Sequence, residues 1–501
     1  MKNEIKSGMM LNYAYVVLLN VTTLFVTPAL TGSLGARMYG IYVIAFSVIS
    51  FIPVGDFGIG TPVISYVVKF LNSDDKTELP SYLHGTLMIY GAFSGIILVL
   101  CALFYIGAPY FFGGQFTAEE LVSFRQMFVV ASANCVFQIF QNYLFVIITG
   151  CGKLIFTRVT NIVRVIMRAA MIIAVLATWL PVYMVFTVEL VLSVGIVAIY
   201  SAYAVSLGIR IRRYAAKTAD VIDTAKSIAL SCFMFMFENT YLTLCPFIIG
   251  MSIPAEEVGR YSIGITFCTV YIQLSATFSQ LRMTKLSELW HTRDSGGGYW
   301  TYIISSGRMQ AAALGGILIG FIVFGRQFLI LWVGEQFIIS YYIGLLVMAA
   351  MFFSLSQAML EVSLYAQNKY TVRTVVFFIS AAANCLLLPV GIMLFGLMGT
   401  AYVLALTTFA VNFIVMNIYF SKTHRRMSEF NAQVIARLLP AIIISSAVGV
   451  LISLVNYESI IIAALASAAA LVIYAAAIFF TYISKEQRTE VIGFIGKLNN
   501  K

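Results

Sequence analysis

Long apolar runs, separated by short polar, glycine or proline stretches, repeat along the whole chain. Most of these runs are twenty or more residues long, and they lack the strict alternation of a membrane β-strand. A helix satisfies its own backbone groups in lipid, so runs of this length predict membrane-spanning helices. Fourteen spans are predicted, at residues 9–32, 40–68, 83–107, 125–149, 159–180, 182–206, 227–250, 258–281, 306–325, 338–364, 373–395, 398–420, 437–454 and 459–483.

Composition supports the same fold class. Of 501 residues, 61% are hydrophobic and only 10% are charged, whereas soluble domains carry roughly 25% charged residues. The mean hydropathy is +0.93. A chain this apolar cannot cover its surface in water, which excludes a soluble multidomain enzyme. We therefore predict an all-α polytopic membrane protein.

The basic residues set the predicted orientation. With a cytoplasmic N-terminus, 25 Lys and Arg residues fall on the cytoplasmic side and only Arg37, Arg125, Arg260 and Arg326 on the other. This asymmetry follows the positive-inside rule and predicts that both termini are cytoplasmic. It also accounts for the net charge of +10 through contact with anionic lipid, without a nucleic-acid partner.

The two halves of the chain share a sequence pattern. Gly40-Ile41-Tyr42 recurs as Gly259-Arg260-Tyr261, a shift of 219 residues that also carries Asn20 onto Asn239 and Gln138 onto Gln357. Spans 1–6 and 7–12 are thus predicted to be parallel repeats. The expected organisation is a first lobe at 1–213, a second lobe at 214–421, and spans 13 and 14 with the tail at 422–501.

Three segments carry a family resemblance: 33–42 (SLGARMYGIY), 54–60 (VGDFGIG) and Leu331-Trp332-Val333-Gly334. Together with the 6+6+2 layout, they resemble bacterial O-antigen-type polysaccharide repeat-unit flippases. These flippases belong to the multidrug, oligosaccharidyl-lipid and polysaccharide (MOP) exporter superfamily.

The resemblance implies two pseudo-symmetric six-helix lobes, arranged as a V around a central cavity, plus two C-terminal helices. It implies that undecaprenyl-diphosphate-linked oligosaccharide is moved across the bacterial inner membrane, from the cytoplasmic to the periplasmic leaflet, for surface polysaccharide such as lipopolysaccharide. A polysaccharide polymerase and a chain-length regulator are the protein partners that it implies.

Nothing in the sequence indicates an enzyme. The three histidines fall in loops or at span ends, and no metalloprotease, nucleotide-binding or nucleophile-elbow pattern is present. No cofactor is therefore predicted. Without an ATP site, transport has to run downhill or be coupled to Na⁺ or H⁺.

Charged residues inside spans are costly and therefore informative. Arg164 and Arg168 are four residues apart on span 5 and share a helix face, where a diphosphate could lie against both guanidinium groups. In the alternative interpretation, Arg164 extends to the cytosol and Arg168 pairs with Asp56 or Glu189 to fix packing. Asp56 is also included among the candidate substrate-site residues.

Amide side chains form a second candidate feature. Asn134, Gln138, Gln141 and Asn142 make one polar stripe on span 4, and span 10 carries Gln357 and Glu361. Such stripes can bind sugar hydroxyls in a hydrated cavity. They can also hold helices together.

A third group of residues is a candidate for ion coupling. Glu238 and Asn239 lie in mid span 7, and Asn384 and Asn412 on spans 11 and 12 could complete a sodium site; the alternative is a structural polar cluster. A cation-coupled multidrug or small-solute antiporter of the same superfamily is the competing function. It would favour an acidic residue in span 1, and residues 9–32 contain none.

Overall fold

The computed structural model describes residues 2–50, 60–71, 78–178, 180–209, 222, 225–226, 242, 245–291, 298–367, 369–424, 426–453 and 460–482. Within these ranges the chain is helical and contains no strand. The helices are α1 Lys2–Ser50, α2 Gly60–Leu71, α3 Glu78–Phe112, α4 Ala118–Gly150, α5 Leu154–Ala177, α6 Tyr183–Ser206, α7 Cys245–Ser252, α8 Ala255–His291, α9 Gly298–Val333, α10 Ile339–Ser356, α11 Ala358–Ala366, α12 Tyr370–Phe395, α13 Leu397–Thr407, α14 Met416–Thr423, α15 Met427–Phe430, α16 Leu439–Ser453 and α17 Ile460–Thr481.

Most of these helices are long enough to cross a bilayer. In the described part of the chain, eleven helical segments combine sufficient length with sufficient hydropathy. The all-α polytopic membrane fold is therefore confirmed. Of predicted span 7, the structure describes Cys245–Ser252 and the isolated residue 242.

The first two predicted spans meet at a sharp break. Gly35 has φ 72 and ψ 166 inside the continuous run of α1, a conformation that L-residues with a side chain rarely adopt. Five residues later, a Cβ on Gly40 would lie 1.7 Å from the carbonyl oxygen of Ala255. Glycine therefore provides both the change of direction and the closest helix packing in this region.

The chain divides into two compact units, Met1–Gly259 and Arg260–Lys501. In the first unit, α4 packs against α6 and α3, and α1 packs along α5. In the second, α9 packs against α10, α16 and α17, and α12 packs against α13. The lobe boundary expected at 213/214 lies outside the described residues and stays a prediction.

The C-terminal helices of the second unit are fixed to α9 by tyrosines. The Tyr474 hydroxyl donates to the carbonyl oxygen of Ala312 at 2.9 Å, and the Tyr482 hydroxyl donates to that of Arg308 at 3.2 Å. A Cβ on Gly315 would lie 2.2 Å from the Tyr474 hydroxyl oxygen. A small residue at this point of α9 is what allows Tyr474 to approach.

Two predicted spans of the second unit are irregular. Span 10 is interrupted at Gln357, between α10 and α11. Span 12 passes from α13 through a π-helical stretch, Thr408–Val415, into α14, and a second π-helical stretch, Asn431–Ala436, follows α15. Interrupted membrane helices and π-bulges are frequent at functional sites.

Candidate functional site

Two arginines in α5 form the centre of the candidate site. Arg168 lies fourteen residues from the start of α5 and nine from its end, which is roughly 21 Å and 14 Å along the helix axis. Arg164 lies one turn nearer the start and shares the same face. Both residues are therefore well inside an apolar helix, as predicted.

Glu189 on α6 binds both arginines. The Arg168 Nε donates to Glu189 Oε1, and Arg164 Nη2 lies 3.5 Å from Glu189 Oε2. Arg164 also donates to Gln141 Oε1 at 3.4 Å and, through Nη2, to Ser193 Oγ at 3.3 Å. Arg168 contacts Glu189, and Arg164, four residues earlier on α5, contacts Ser193, four residues later on α6. Contacts that run in opposite directions along the two helices are typical of an antiparallel pair.

The charges of this cluster do not cancel. Two guanidinium groups share one carboxylate, and the side chains are 20%, 25% and 15% exposed for Arg164, Arg168 and Glu189. In the described part of the chain, neither Nη group of Arg168 has a hydrogen-bond partner. The cluster thus keeps one excess positive charge and free donors that can reach a ligand.

The structure bears on both interpretations of these arginines. Arg168 does pair with Glu189, one of the two acids named in the packing interpretation. Arg164 is held by α4 and α6 side chains and does not extend away from them. Asp56, the other acid named, lies outside the described residues.

The amide stripe of α4 meets the arginines at one point. Gln141 is half-buried and contacts Arg164, whereas Asn134 and Asn142 are buried and Gln138 is half-buried. The Asn134 Oδ1 accepts no hydrogen bond from the described residues. The stripe thus combines one residue that extends the cationic cluster with others buried among the helices.

The second unit carries its own ion pair, which sequence reasoning did not identify. Arg373, predicted at the cytoplasmic start of the span 373–395, donates through Nε to Glu361 Oε2 at 3.1 Å, and its guanidinium contacts the Tyr365 hydroxyl. Gln357 is fully buried at the helix interruption, and neither polar atom of its side chain has a partner among the described residues. Glu361 thus has a cation beside it, while Gln357 keeps its hydrogen-bonding capacity with respect to the described residues.

An arginine in each unit makes a similar contact with an aromatic ring. Arg158 lies over the Phe145 ring at 5.6 Å, and Arg373 lies over the Tyr365 ring, also at 5.6 Å. Each arginine follows the lysine that marks the repeat, Lys153 or Lys369, by a few residues. A lysine followed four or five residues later by an arginine in both units was the sequence signal that could have pointed to Arg373.

The candidate ion-coupling residues are described only in part. The Thr407 hydroxyl donates to Asn384 Oδ1 at 2.8 Å, linking α12 to α13. Asn412 is buried in the π-helical stretch 408–415, and its Oδ1 accepts no hydrogen bond from the described residues. Glu238 and Asn239 lie outside the described residues.

No protein-family model and no curated protein matches the sequence. Solved structures do match. The chain is similar to the lipid II flippase MurJ in an inward closed conformation, with a TM-score of 0.71 and 12% identity over 94% of this chain and 99% of that one.

Two multidrug transporters are similar as well. One is an inward-facing MATE family transporter of the MOP superfamily, with a TM-score of 0.57 and 12% identity; the other is the MATE transporter DinF-BH in complex with rhodamine 6G, with a TM-score of 0.59 and 13% identity. Each match covers 85% of this chain and 96% of the other. The chain therefore has the fold shared by the flippase MurJ and the MATE transporters.

Proposed function

We propose that this protein is a MOP-superfamily flippase that moves undecaprenyl-diphosphate-linked oligosaccharide repeat units from the cytoplasmic to the periplasmic leaflet by alternating access. The observation that carries the proposal is the excess positive charge that Arg164 and Arg168 have among the described residues, held inside a membrane helix pair, with Arg168 Nη donors that no described residue accepts. The product would supply surface polysaccharide such as O-antigen.

The chemistry of a diphosphate fits this cluster. A diphosphate entering an apolar environment loses hydration at a cost of several kcal/mol per charge, which fixed cations can offset. Guanidinium groups bind phosphate oxygens with two parallel hydrogen bonds. Glu189 holds Arg168 through Nε, leaving its Nη groups for an anionic ligand.

The amides serve the sugar part of such a substrate. Sugar hydroxyls both donate and accept, and so does an amide side chain. Gln138 on α4 is half-buried, and Gln357 in the second unit has both polar atoms without a partner in the described part of the chain. We assign these residues, with Asn134, Asn142 and Glu361, to the substrate site.

Ion coupling is part of the proposal. Asn384, Asn412, Glu238 and Asn239 are assigned to a Na⁺ or H⁺ site. The Asn384–Thr407 hydrogen bond and the unpartnered, buried Oδ1 of Asn412, within the described residues, support neutral oxygen ligands on these helices. Hard cations such as Na⁺ prefer oxygen ligands of this kind.

A cation-coupled multidrug antiporter is the second candidate, and the two MATE neighbours favour it. A site for cationic drugs would carry excess negative charge. The described cluster on α5 and α6 has the opposite sign, which favours an anionic substrate.

Reconstitution separates the two functions. The purified chain is placed in vesicles with a defined undecaprenyl-diphosphate-linked glycan, and in parallel vesicles with rhodamine 6G, the ligand in the DinF-BH complex. We expect the glycan to become accessible in the opposite leaflet in a protein-dependent way and the dye to remain untransported. Transport of the dye without movement of the glycan would replace the flippase proposal with the antiporter.

A further inference from the structure

A groove of about 390 Å³ opens on the second unit where the two π-helical stretches face each other. Its walls come from 408–415 and α14 on one side and from 431–436 and the start of α16 on the other. Most of the lining is apolar: Phe413, Ile414, Ile418, Ile435, Ala436 and Leu439. Ile414 and Ile418 are 40% and 51% exposed, so the groove is accessible from the apolar surroundings of the helices.

Two amides interrupt this apolar lining. Asn417 Nδ2 donates to Asn431 Oδ1 at 3.0 Å, and Asn431 Nδ2 donates to Asn417 Oδ1 at 3.2 Å. Each NH₂ group has a second hydrogen, and neither of these hydrogens meets an acceptor within the described ranges. The groove thus offers two donors to an acceptor-rich ligand.

Two cations extend the groove. Lys422 follows the lining residue Ile418 by four positions on α14, one turn along the same face. The backbone N–H of Arg437 donates to the carbonyl oxygen of Ala432, another lining residue, at 3.1 Å, so Arg437 stands one π-turn beyond it. Both cations are exposed, and neither has an ion-pair partner among the described residues.

The acid nearest in sequence does not neutralise them. Glu429 accepts from Arg426 Nε at 2.8 Å and from Gln433 Nε2 at 3.1 Å. The charge at the groove is therefore positive, and the free polar hydrogens are donors. A ligand that matches must be acceptor-rich, negatively charged and apolar over most of its length.

We propose that this groove binds one anionic phospholipid of the surrounding bilayer. An acyl chain lies along the wall formed by Ile414, Ile418 and Ile435. The ester and phosphate oxygens accept hydrogen bonds from the amides of Asn417 and Asn431, and the phosphate pairs with Lys422 and Arg437.

The head-group charge decides which phospholipid fits. A zwitterionic lipid brings its own ammonium group into a site that already holds two cations, whereas phosphatidylglycerol has no cation and carries a net negative charge. Each basic residue near an anionic lipid strengthens binding about fivefold, and two strengthen it roughly 30-fold. The site is independent of what the protein transports.

Native mass spectrometry of the full-length protein in detergent tests the proposal, with palmitoyl-oleoyl phosphatidylglycerol and the phosphatidylcholine of the same chains as probes. We expect one tightly bound phosphatidylglycerol per chain. The double variant Lys422→Gln/Arg437→Gln should weaken it roughly 30-fold. Ala432→Phe, which fills the groove, should abolish it.

Matched controls lie elsewhere in the same unit. Arg282→Gln/Lys285→Gln removes a half-buried and an exposed cation from α8, and Ala469→Phe adds a ring to an exposed position on α17; both should bind phosphatidylglycerol as the wild type does. Equal affinity for the two lipids, or equal loss in the controls, would overturn the proposal. It would also be overturned if the co-purified ligand were a polyprenyl phosphate, or if Ala432→Phe, monodisperse on size exclusion, kept full binding.

Discussion

The Arg168–Glu189 pair allows a structural role and a ligand-binding role to be separated by one set of variants. Breaking a buried ion pair by removing one partner costs about 3–5 kcal/mol. Here the side chains are 25% and 15% exposed, and Glu189 keeps Arg164 at 3.5 Å. We therefore expect Arg168→Ala to reduce the free energy of unfolding by only about 1–2 kcal/mol, with near-normal membrane levels.

The expected effect on transport is larger. A hydrogen bond to a charged group is worth about 1.5–3 kcal/mol, so losing one such bond from an Arg168 Nη group should slow transport about 10- to 150-fold. Arg168→Lys keeps the charge but loses the planar guanidinium group, which can bind two phosphate oxygens at once, and should retain partial activity. Arg164→Ala should be milder, because Arg168 and its Nη groups remain.

Glu189→Gln provides the decisive comparison. Alone, it leaves two guanidinium groups without their shared carboxylate and should lower stability. Combined with Arg168→Gln it removes both charges of the pair, so stability should recover while transport stays low. The assay is surface polysaccharide restored in a flippase-null strain, with expression matched by immunoblot and thermal stability measured on purified protein.

A purely structural pair gives the opposite pattern. If the double variant Arg168→Gln/Glu189→Gln exports polysaccharide as the wild type does, the pair only fixes packing. The same conclusion follows if poor expression explains the whole loss in Arg168→Ala.

Four further predictions test the topology, the coupling and the packing. Reporter fusions should be cytoplasmic at Asp220 and Ser428 and periplasmic at Gln115 and Glu335; reversal at two sites would refute the fourteen-span topology. Glu238→Gln should leave insertion intact and remove the dependence of transport on the ion gradient, whereas unchanged dependence in vesicles would make Glu238 structural. Burial and nearby Lys369 lower the pKa of His424, so stability should be full above its ordinary pKa of about 6.5 and fall as the pH drops below it; melting curves of His424→Phe should show a smaller fall. A Cβ on Gly399 would lie 1.9 Å from the carbonyl oxygen of Gly391, whereas one on Gly320 meets nothing within 4 Å. Gly399→Ala should therefore lower the melting temperature by several degrees and Gly320→Ala should change it little.

The helical membrane fold could be predicted because lipid imposes one strong constraint on sequence: long apolar runs must become helices. The interruptions could not be predicted in the same way. Gln357 lies in an apolar run that the sequence predicts to be one span. The break between α10 and α11 depends on the helices packed around it, which the pattern of one run does not encode. The break at Gly35, by contrast, falls in the gap predicted between the spans at 9–32 and 40–68.

Among the site residues, too, properties of a single helix could be predicted, whereas contacts between helices could not. The depth of Arg168 and its four-residue spacing from Arg164 are properties of one helix and were predicted from sequence. The pairing of Glu189 with both arginines depends on the register between α5 and α6, which no single helix encodes. Arg373 was predicted only as a cytoplasmic-side cation at the start of the span 373–395, and its pairing with Glu361 depends on how α11 and α12 pack.

The two ion pairs differ in a way that bears on the proposed mechanism. Glu361 pairs with Arg373, and the Arg373 guanidinium also contacts the Tyr365 hydroxyl and lies over aromatic rings. Glu189 is outnumbered by its arginines, and Arg168 keeps free donors within the described structure. If the two units arose from one repeat, the excess charge is a specialisation of the first, and an anionic substrate gives a physical reason to retain an arginine that costs roughly 2.5–3.5 kcal/mol at a helix centre. The same argument predicts that neutralising Arg373 together with Glu361 will be tolerated better than neutralising Arg168 together with Glu189, a comparison that the polysaccharide assay measures directly.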